Sequence, residues 1–197
     1  MSRYWVARVA AFAAEAPPRS ALVFAGDSMT ERFALARHLP ASLGPFVNRG
    51  IGGDKVGGWR YRGLLDRVEA SVIALAPRQT VLMIGVNDIV FAATPPALLD
   101  AAADELLKRL AAAAPLLVQS VLPARALLSV HNPAIARFNT QLAALAATHG
   151  AGWLDLRPAF TDAQGELRAE FASDSLHLNE AGYARWAAAL APRLHRP

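Results

Sequence analysis

Ser28 sits near the start of the chain in the run Phe24-Ala25-Gly26-Asp27-Ser28-Met29-Thr30, directly after a short apolar stretch, and far downstream come Asp174-Ser175-Leu176-His177. Together these segments supply a nucleophile, a base and an orienting carboxylate. A serine hydroxyl attacks acyl carbon poorly at neutral pH unless an imidazole takes its proton, and the imidazole works best when a third group fixes its tautomer. His177 is then the general base toward Ser28 and the general acid toward the leaving group, while Asp174 is close enough in sequence to accept from the other ring nitrogen. Two further segments, Asn48-Arg49-Gly50-Ile51-Gly52-Gly53-Asp54 and Ile84-Gly85-Val86-Asn87-Asp88, can complete an oxyanion hole. Its candidate donors are the backbone N–H groups of Ser28 and Gly53 and the side-chain amide of Asn87.

Each of these residues also has a plainer use. Asp27 or Ser28 caps a helix as such residues often do. Gly52-Gly53 makes a tight turn, and Asn87 with Asp88 caps or turns the chain. His177 is matched by His131 as a loop histidine able to approach the same place, but His131 has no carboxylate nearby in sequence. Asp155 and Asp162 rival Asp174 only if the loops are placed unexpectedly. Asp27 and Asp54 read as short acceptors for backbone N–H groups in the turns that carry Ser28 and Gly53.

The four segments, in this order, resemble the blocks of the SGNH, or GDSL, hydrolase superfamily, whose Ser, Gly, Asn and His fall here on Ser28, Gly53, Asn87 and His177. The resemblance spans residues 24 to 183. Asp174-Ser175-Leu176-His177-Leu178-Asn179-Glu180-Ala181-Gly182-Tyr183 is especially similar to the family's last block. Met29 departs from the leucine of the family name, a swap of similar-sized apolar residues. The block from Asn48 to Asp54 is most similar to bacterial relatives of platelet-activating-factor acetylhydrolase. The resemblance implies the donor role for Asn87 and a cofactor-independent serine esterase working through an acyl-enzyme. It permits an O-acetyl sugar, a lysophospholipid, a thioester or an acetylhydrolase-type phospholipid as substrate. A noncatalytic acyl- or carbohydrate-binding module on the same fold is the alternative.

Other chemistries find less support. The glycines around Ile51 are out of register for a dinucleotide fingerprint, and Lys55 is not followed by the Ser or Thr of a phosphate loop. Gly-x-Ser-x-Gly is absent, against an α/β-hydrolase elbow. Asp174 and His177 have no further pair at ligand spacing, so neither metal nor cofactor is expected. The chain has no cysteine, hence no thiol nucleophile and no disulfide framework. Its net charge of +4 comes from scattered arginines, without a basic stripe interleaved with aromatics, so nucleic acid is not an expected partner.

The 197 residues, 54% hydrophobic, are enough for one domain with a sizeable core. Arg8 interrupts the early apolar stretch, so residues 1–16 read as an amphipathic helix packed on the domain through Trp5, Val9, Phe12 and Ala16 rather than as a secretory leader. No run is long and apolar enough for a membrane span, and a cytoplasmic location is expected. Homo-oligomerisation stays open, with Trp59, Tyr61 and Trp186 as candidate surface aromatics.

After Pro17-Pro18, short β-rich runs alternate with Ala-rich helical ones, the mark of a sheet covered on both faces. Strands are predicted at Ala21 to Ala25, Phe46 to Asn48, Thr80 to Ile84, Leu116 to Val121 and Gly152 to Leu156. Helices are predicted at Ser28 to His38, Lys55 to Ala76 with a break, Pro96 to Ala113, Pro133 to His149 and Asn179 to Leu194. The expected fold is a three-layer α/β/α sandwich, flavodoxin-like, with a five-stranded parallel sheet in the order 2-1-3-4-5. Ser28, Gly53 and Asn87 then follow the first three strands, where such sheets keep their ligands. Val90 and Phe91, with Leu127 and Leu128 after the fourth strand, are the candidate contacts for a small or short acyl group of a small-molecule ester. Packing at the domain edge is their other reading. No insertion is long enough for a separate lid, so an open cleft is expected.

Overall fold

The computed structural model describes residues 2–196. Five strands, β1 (Leu22–Gly26), β2 (Phe46–Gly50), β3 (Gln79–Met83), β4 (Leu116–Gln119) and β5 (Gly152–Leu154), form one sheet. They lie in the order β2-β1-β3-β4-β5, and every pairing is parallel. The near-continuous apolar runs of β1 and β3 are what a strand buried on both faces requires.

Alternate strand residues feed two cores. Val23, Ala25, Val47, Leu82 and Val118 face one side. There they meet α4 (Leu64–Ser71), α6 (Pro96–Ala113) and α7 (Asn132–Thr148) through Leu64, Val68, Leu106, Phe138 and Leu142. Leu22, Phe24, Val81, Met83 and Leu117 face the other side, against Leu35 of α3 (Leu35–His38) and Tyr183, Trp186 and Leu190 of α9 (Glu180–Leu190). Period-two alternation thus sorts each strand between the two layers of helices.

The predicted helix from Ser28 to His38 is two short ones, α2 (Ser28–Glu31) and α3. Phe33 in the break is buried and stacks on Trp186, with ring centroids 4.6 Å apart. A continuous helix would have to give up the interruption from which Phe33 enters that aromatic cluster. Between Lys55 and Ala76 only α4 and a 3-10 turn at Ile73–Leu75 are helical, because Gly57 and Gly58 take φ of +103° and +81°. Two short helices, α5 (Val86–Val90) and α8 (Arg157–Phe160), were not expected from the sequence pattern. Trp186 does not mark a surface: it is fully buried, and its indole N–H donates to Gln119 at 2.6 Å.

The N-terminal segment folds as α1 (Arg3–Ala14), with Trp5 and Phe12 buried and Val9 packed beside Ile51. Ala16 lies beyond its end and is exposed, so it takes no part in that face. No helix among the described residues is long and apolar enough to cross a membrane.

Candidate active site

Ser28 starts α2 immediately beyond β1, and the Asp27 carboxylate accepts from the Met29 N–H at 2.9 Å, capping that turn. The bend is tight because Gly26 has no side chain: a Cβ there would meet the Met83 carbonyl at 2.2 Å. Asp27 is wholly buried, and burial pushes its carboxyl up to about 7, assisted by Asp54 and Asp88 and opposed by the Met29 N–H.

His177 comes from the far end of the chain, on a loop closed by backbone bonding of Ser173 N–H to the His177 carbonyl and by the Ala172–Leu178 bridge. Leu176 anchors the loop in the core, and the Arg125 N–H holds the Ser175 carbonyl. Tyr183 of α9 donates to the Met29 carbonyl at 3.0 Å, tying the helix after His177 to the turn that carries Ser28.

These restraints set Ser28 Oγ 2.9 Å from His177 Nε2. On the other side of the ring, Nδ1 lies 2.8 Å from Asp174 Oδ2. Asp174 Oδ1 meanwhile accepts from the Leu176 and His177 N–H groups at 2.8 and 2.7 Å. Partial burial works to raise the Asp174 carboxyl, but these backbone donors and the imidazole outweigh it and hold the group at about 2. An ionised Asp174 fixes the ring with its proton on Nδ1, which leaves Nε2 free to accept from the serine.

Gly53 and Asn87 line the same cavity as Ser28 and His177, a space of about 640 Å³. Gly53 takes φ +76° and an added Cβ would meet nothing within 4 Å, so backbone conformation, not crowding by the protein, calls for glycine. No hydrogen bond among the described residues uses the backbone N–H of Ser28 or Gly53, so both remain available as donors. Asn87 lies in α5, after Gly85, whose φ of +124° and close approach to the Phe138 ring exclude a side chain. One amide hydrogen of Asn87 goes to the Asp54 carbonyl at 2.8 Å. The group carries a second N–H, which that bond leaves to spare.

The segment from Gly50 to Val56 is held by buried polar groups. Gly52 N–H donates to Glu31 at 2.8 Å, and Val56 N–H to Asp88 at 2.9 Å. Asp54 accepts from the Lys55 N–H, as a local support should, and also from the Trp5 indole at 2.9 Å. Its other oxygen pairs with Arg67 at 2.7 Å, both side chains being almost wholly buried. Burial, against the Val56 N–H, pushes the Asp88 carboxyl up to about 7.

Among the other predicted contacts, Phe91 lines the cavity and is 62% exposed. Val90 instead packs against the core with Leu128, and neither lines it. Leu127 is 92% exposed on the 3-10 segment Ala126–His131 and is also outside the cavity. That segment turns its Leu128 edge inward and leaves Leu127 to solvent, so the apolar pair does not act as one wall. His131, Asp155 and Asp162 are outside the cavity as well; Asp155 pairs with Arg157 at 2.7 Å. No cluster of three or more His, Asp or Glu placed to hold a metal ion occurs among the described residues.

Sequence reasoning missed Tyr4, Glu31, Arg32 and Lys55, all of which line the cavity. It also missed Arg67, although the signal was there: residues 64, 67, 68 and 71 share the buried face of α4, and a charge at that spacing marks a buried partner.

Comparison with known proteins bears on this geometry. The model of the GDSL-like Lipase/Acylhydrolase family matches residues 24–185. No curated protein matches the chain in sequence. A Streptococcus pneumonia protein provisionally named a platelet activating factor superposes with a TM-score of 0.86 at 23% identity, over 98% of this chain and 94% of its own. A GDSL-like lipase from Bacteroides thetaiotaomicron gives 0.80 at 21% identity, with 96% of each chain covered. An acetylxylan esterase from Geobacillus stearothermophilus gives 0.72 at 20%, over 91% of this chain and 96% of its own. At these identities the structural likeness establishes the fold.

Proposed function

The chain belongs to the GDSL-like lipase/acylhydrolase family and is thereby an ester-hydrolysing enzyme, and we propose that it acts as a serine esterase on small or short-chain acyl esters. Ser28, His177 and Asp174 form its triad, and the Ser28 and Gly53 N–H groups with the Asn87 amide form its oxyanion hole. The observation that carries this reading is the unbroken relay from Ser28 Oγ through both nitrogens of His177 to Asp174, at 2.9 and 2.8 Å.

Ser28 Oγ attacks the acyl carbon as its proton passes to Nε2, and the carbonyl oxygen becomes an oxyanion. The three donors stabilise that charge, and Asp174 stabilises the imidazolium. Collapse expels the alcohol, which takes the proton from Nε2 and leaves the acyl group on Ser28. Water then gives a proton to the same nitrogen as it attacks the acyl-enzyme, and Nε2 returns that proton to Ser28 Oγ as the carboxylic acid leaves.

Short acyl groups suit a cavity whose large apolar walls are confined to Tyr4, Phe91 and Leu176, the remainder being glycine, charged or polar. A long chain would find no continuous apolar groove there. A fluorophosphonate probe tests the reading: it should label Ser28 in the native enzyme, as located by peptide mapping, and label the His177→Ala variant far more slowly. An unlabelled Ser28 would favour the binding-module alternative. In a series of p-nitrophenyl esters, acetate and butyrate should turn over faster than palmitate, and a palmitate preference would reject the short-chain assignment.

A further inference from the structure

A second cavity, about 330 Å³, opens beside the first and shares Gly52, Gly53 and Lys55 with it. Its remaining walls include Trp5, Arg60, Tyr61 and Arg62. Lys55 stands at the junction, its ammonium 3.3 Å from the Gly53 carbonyl and 4.9 Å from the centre of the Tyr61 ring. The exposed Arg32 also lines the first cavity.

Four cations therefore surround the two connected spaces, and none of them forms a salt bridge among the described residues. Eight other arginines have a carboxylate partner, while Arg3, Arg19, Arg78, Arg125, Arg185, Arg193 and Arg196 have none among the described residues, so what sets this mouth apart is the gathering of four such cations around one pair of cavities. Among the described residues, Glu31 is the one carboxylate lining either space. Its oxygens already serve the Tyr4 hydroxyl, Arg8 and the Gly52 N–H, so little of its charge is left to neutralise the rim.

Resting on the esterase reading, we propose that the physiological ester carries an anionic group of the phosphate or carboxylate class. That group enters the annex formed by Lys55, Arg60 and Arg62 while the ester carbonyl lies against Ser28. Unpaired cations with low-dielectric walls concentrate anions at the mouth and hold one in place without contributing to the bond-breaking step. The planar guanidinium groups suit a carboxylate or phosphate, which they can meet through two hydrogen bonds at once. Tyr61, half exposed beside them, supplies an apolar wall for the atoms joining the anion to the ester.

Two matched pairs of esters test this assignment and tell which arm of the substrate carries the charge. On the acyl arm, p-nitrophenyl hydrogen succinate is compared with p-nitrophenyl butyrate. On the alcohol arm, acetylated glycerol 3-phosphate is compared with glycerol monoacetate. In at least one pair, kcat/KM for the anionic ester should exceed that of the neutral one by about tenfold at low salt, the preference fading as ionic strength rises. The Arg60→Gln/Arg62→Gln protein should lose that preference. A ratio near or below one in both pairs, or a preference the double variant retains, overturns the assignment.

Titration calorimetry of glycerol 3-phosphate with the Ser28→Ala protein reads the annex without turnover. Binding should weaken about tenfold when Arg60 and Arg62 are also changed. No binding at millimolar concentration, or binding indifferent to those arginines, overturns the proposal. Failure of the esterase reading would show separately, as the absence of any Ser28-dependent turnover.

Discussion

Asn87 illustrates how one side chain is prepared for a task that the folded protein does not itself satisfy. The Asp54 carbonyl takes one of its amide hydrogens and fixes the plane of the group, leaving the other for the cavity. Asn87→Ala should lower kcat by about 100- to 1000-fold with a much smaller change in KM, the signature of a donor used in the transition state. Steady-state kinetics on p-nitrophenyl acetate read this directly, and a change confined to KM would remove Asn87 from the oxyanion hole. Asp27, next to Ser28, gives a prediction of another kind. Its carboxyl titrates at about 7 in the fold against 3.8 for a free aspartate, so the native state binds the additional proton between those values. Its contribution is therefore fully present below about pH 4 and is lost as pH rises through about 7. Asp27→Asn keeps the oxygen that accepts from Met29 and abolishes the titration. The Tm advantage of the variant over wild type should be larger at pH 8 than at pH 5, and an equal or reversed difference would contradict the burial effect. At this scale the sequence was most legible where neighbours in the chain are neighbours in space. Asp174 and His177 share one short loop, and Asp27 caps its own turn. Glu31 and Trp5 were not legible as supports, since each acts on a residue distant in sequence, and Arg67 showed only as a charge on a buried helix face, without its partner Asp54.

At the scale of elements, the turn bearing Gly53 is supported by α2, which also carries Ser28, and by α1, which contributes nothing directly to the relay. Glu31 at the end of α2 accepts from Gly52, and α1 closes over both through Tyr4 and Arg8 on Glu31 and Trp5 on Asp54. Close approach of β2 to α2 is possible because Gly50 has no side chain; a Cβ there would lie 2.2 Å from the Glu31 nitrogen. Glu31→Ala releases the Gly52 N–H and two contacts of α1 together. We expect kcat to fall by about 10- to 100-fold through misplacement of the Gly53 donor, while circular dichroism stays native. Retention of full activity would show that the turn holds its shape unaided. The strands were readable as short apolar runs between helical segments, β1, β3 and β4 being buried along their whole length, whereas their order was expected from likeness to flavodoxin-like sheets. Helix interruptions were harder. The break after Glu31 serves Phe33, whose partners Tyr183 and Trp186 lie on the last helix, so no local pattern carries it. Likewise the mixed fate of Leu127 and Leu128 follows from how one 3-10 segment sits on the core, which hydrophobicity alone does not reveal.

Across the whole molecule, the walls of the cavity come from α1, the turns after β1, β2 and β3, and the loop before α9, so residues from Tyr4 to His177 must arrive together. The parallel sheet does most of this by bringing the carboxyl ends of β1, β2 and β3 side by side, and Tyr183 locks the last helix to the first turn. Such a site assembles only with the complete fold, and its basic rim adds a field that favours anionic esters. The serine dependence of ester hydrolysis is the most direct test of the account. Wild-type protein and Ser28→Ala, shown to be equally folded by circular dichroism and Tm, are compared in hydrolysis of p-nitrophenyl acetate. Loss of about 10⁴- to 10⁶-fold in kcat is the expected result. Equal rates in the two proteins would contradict it.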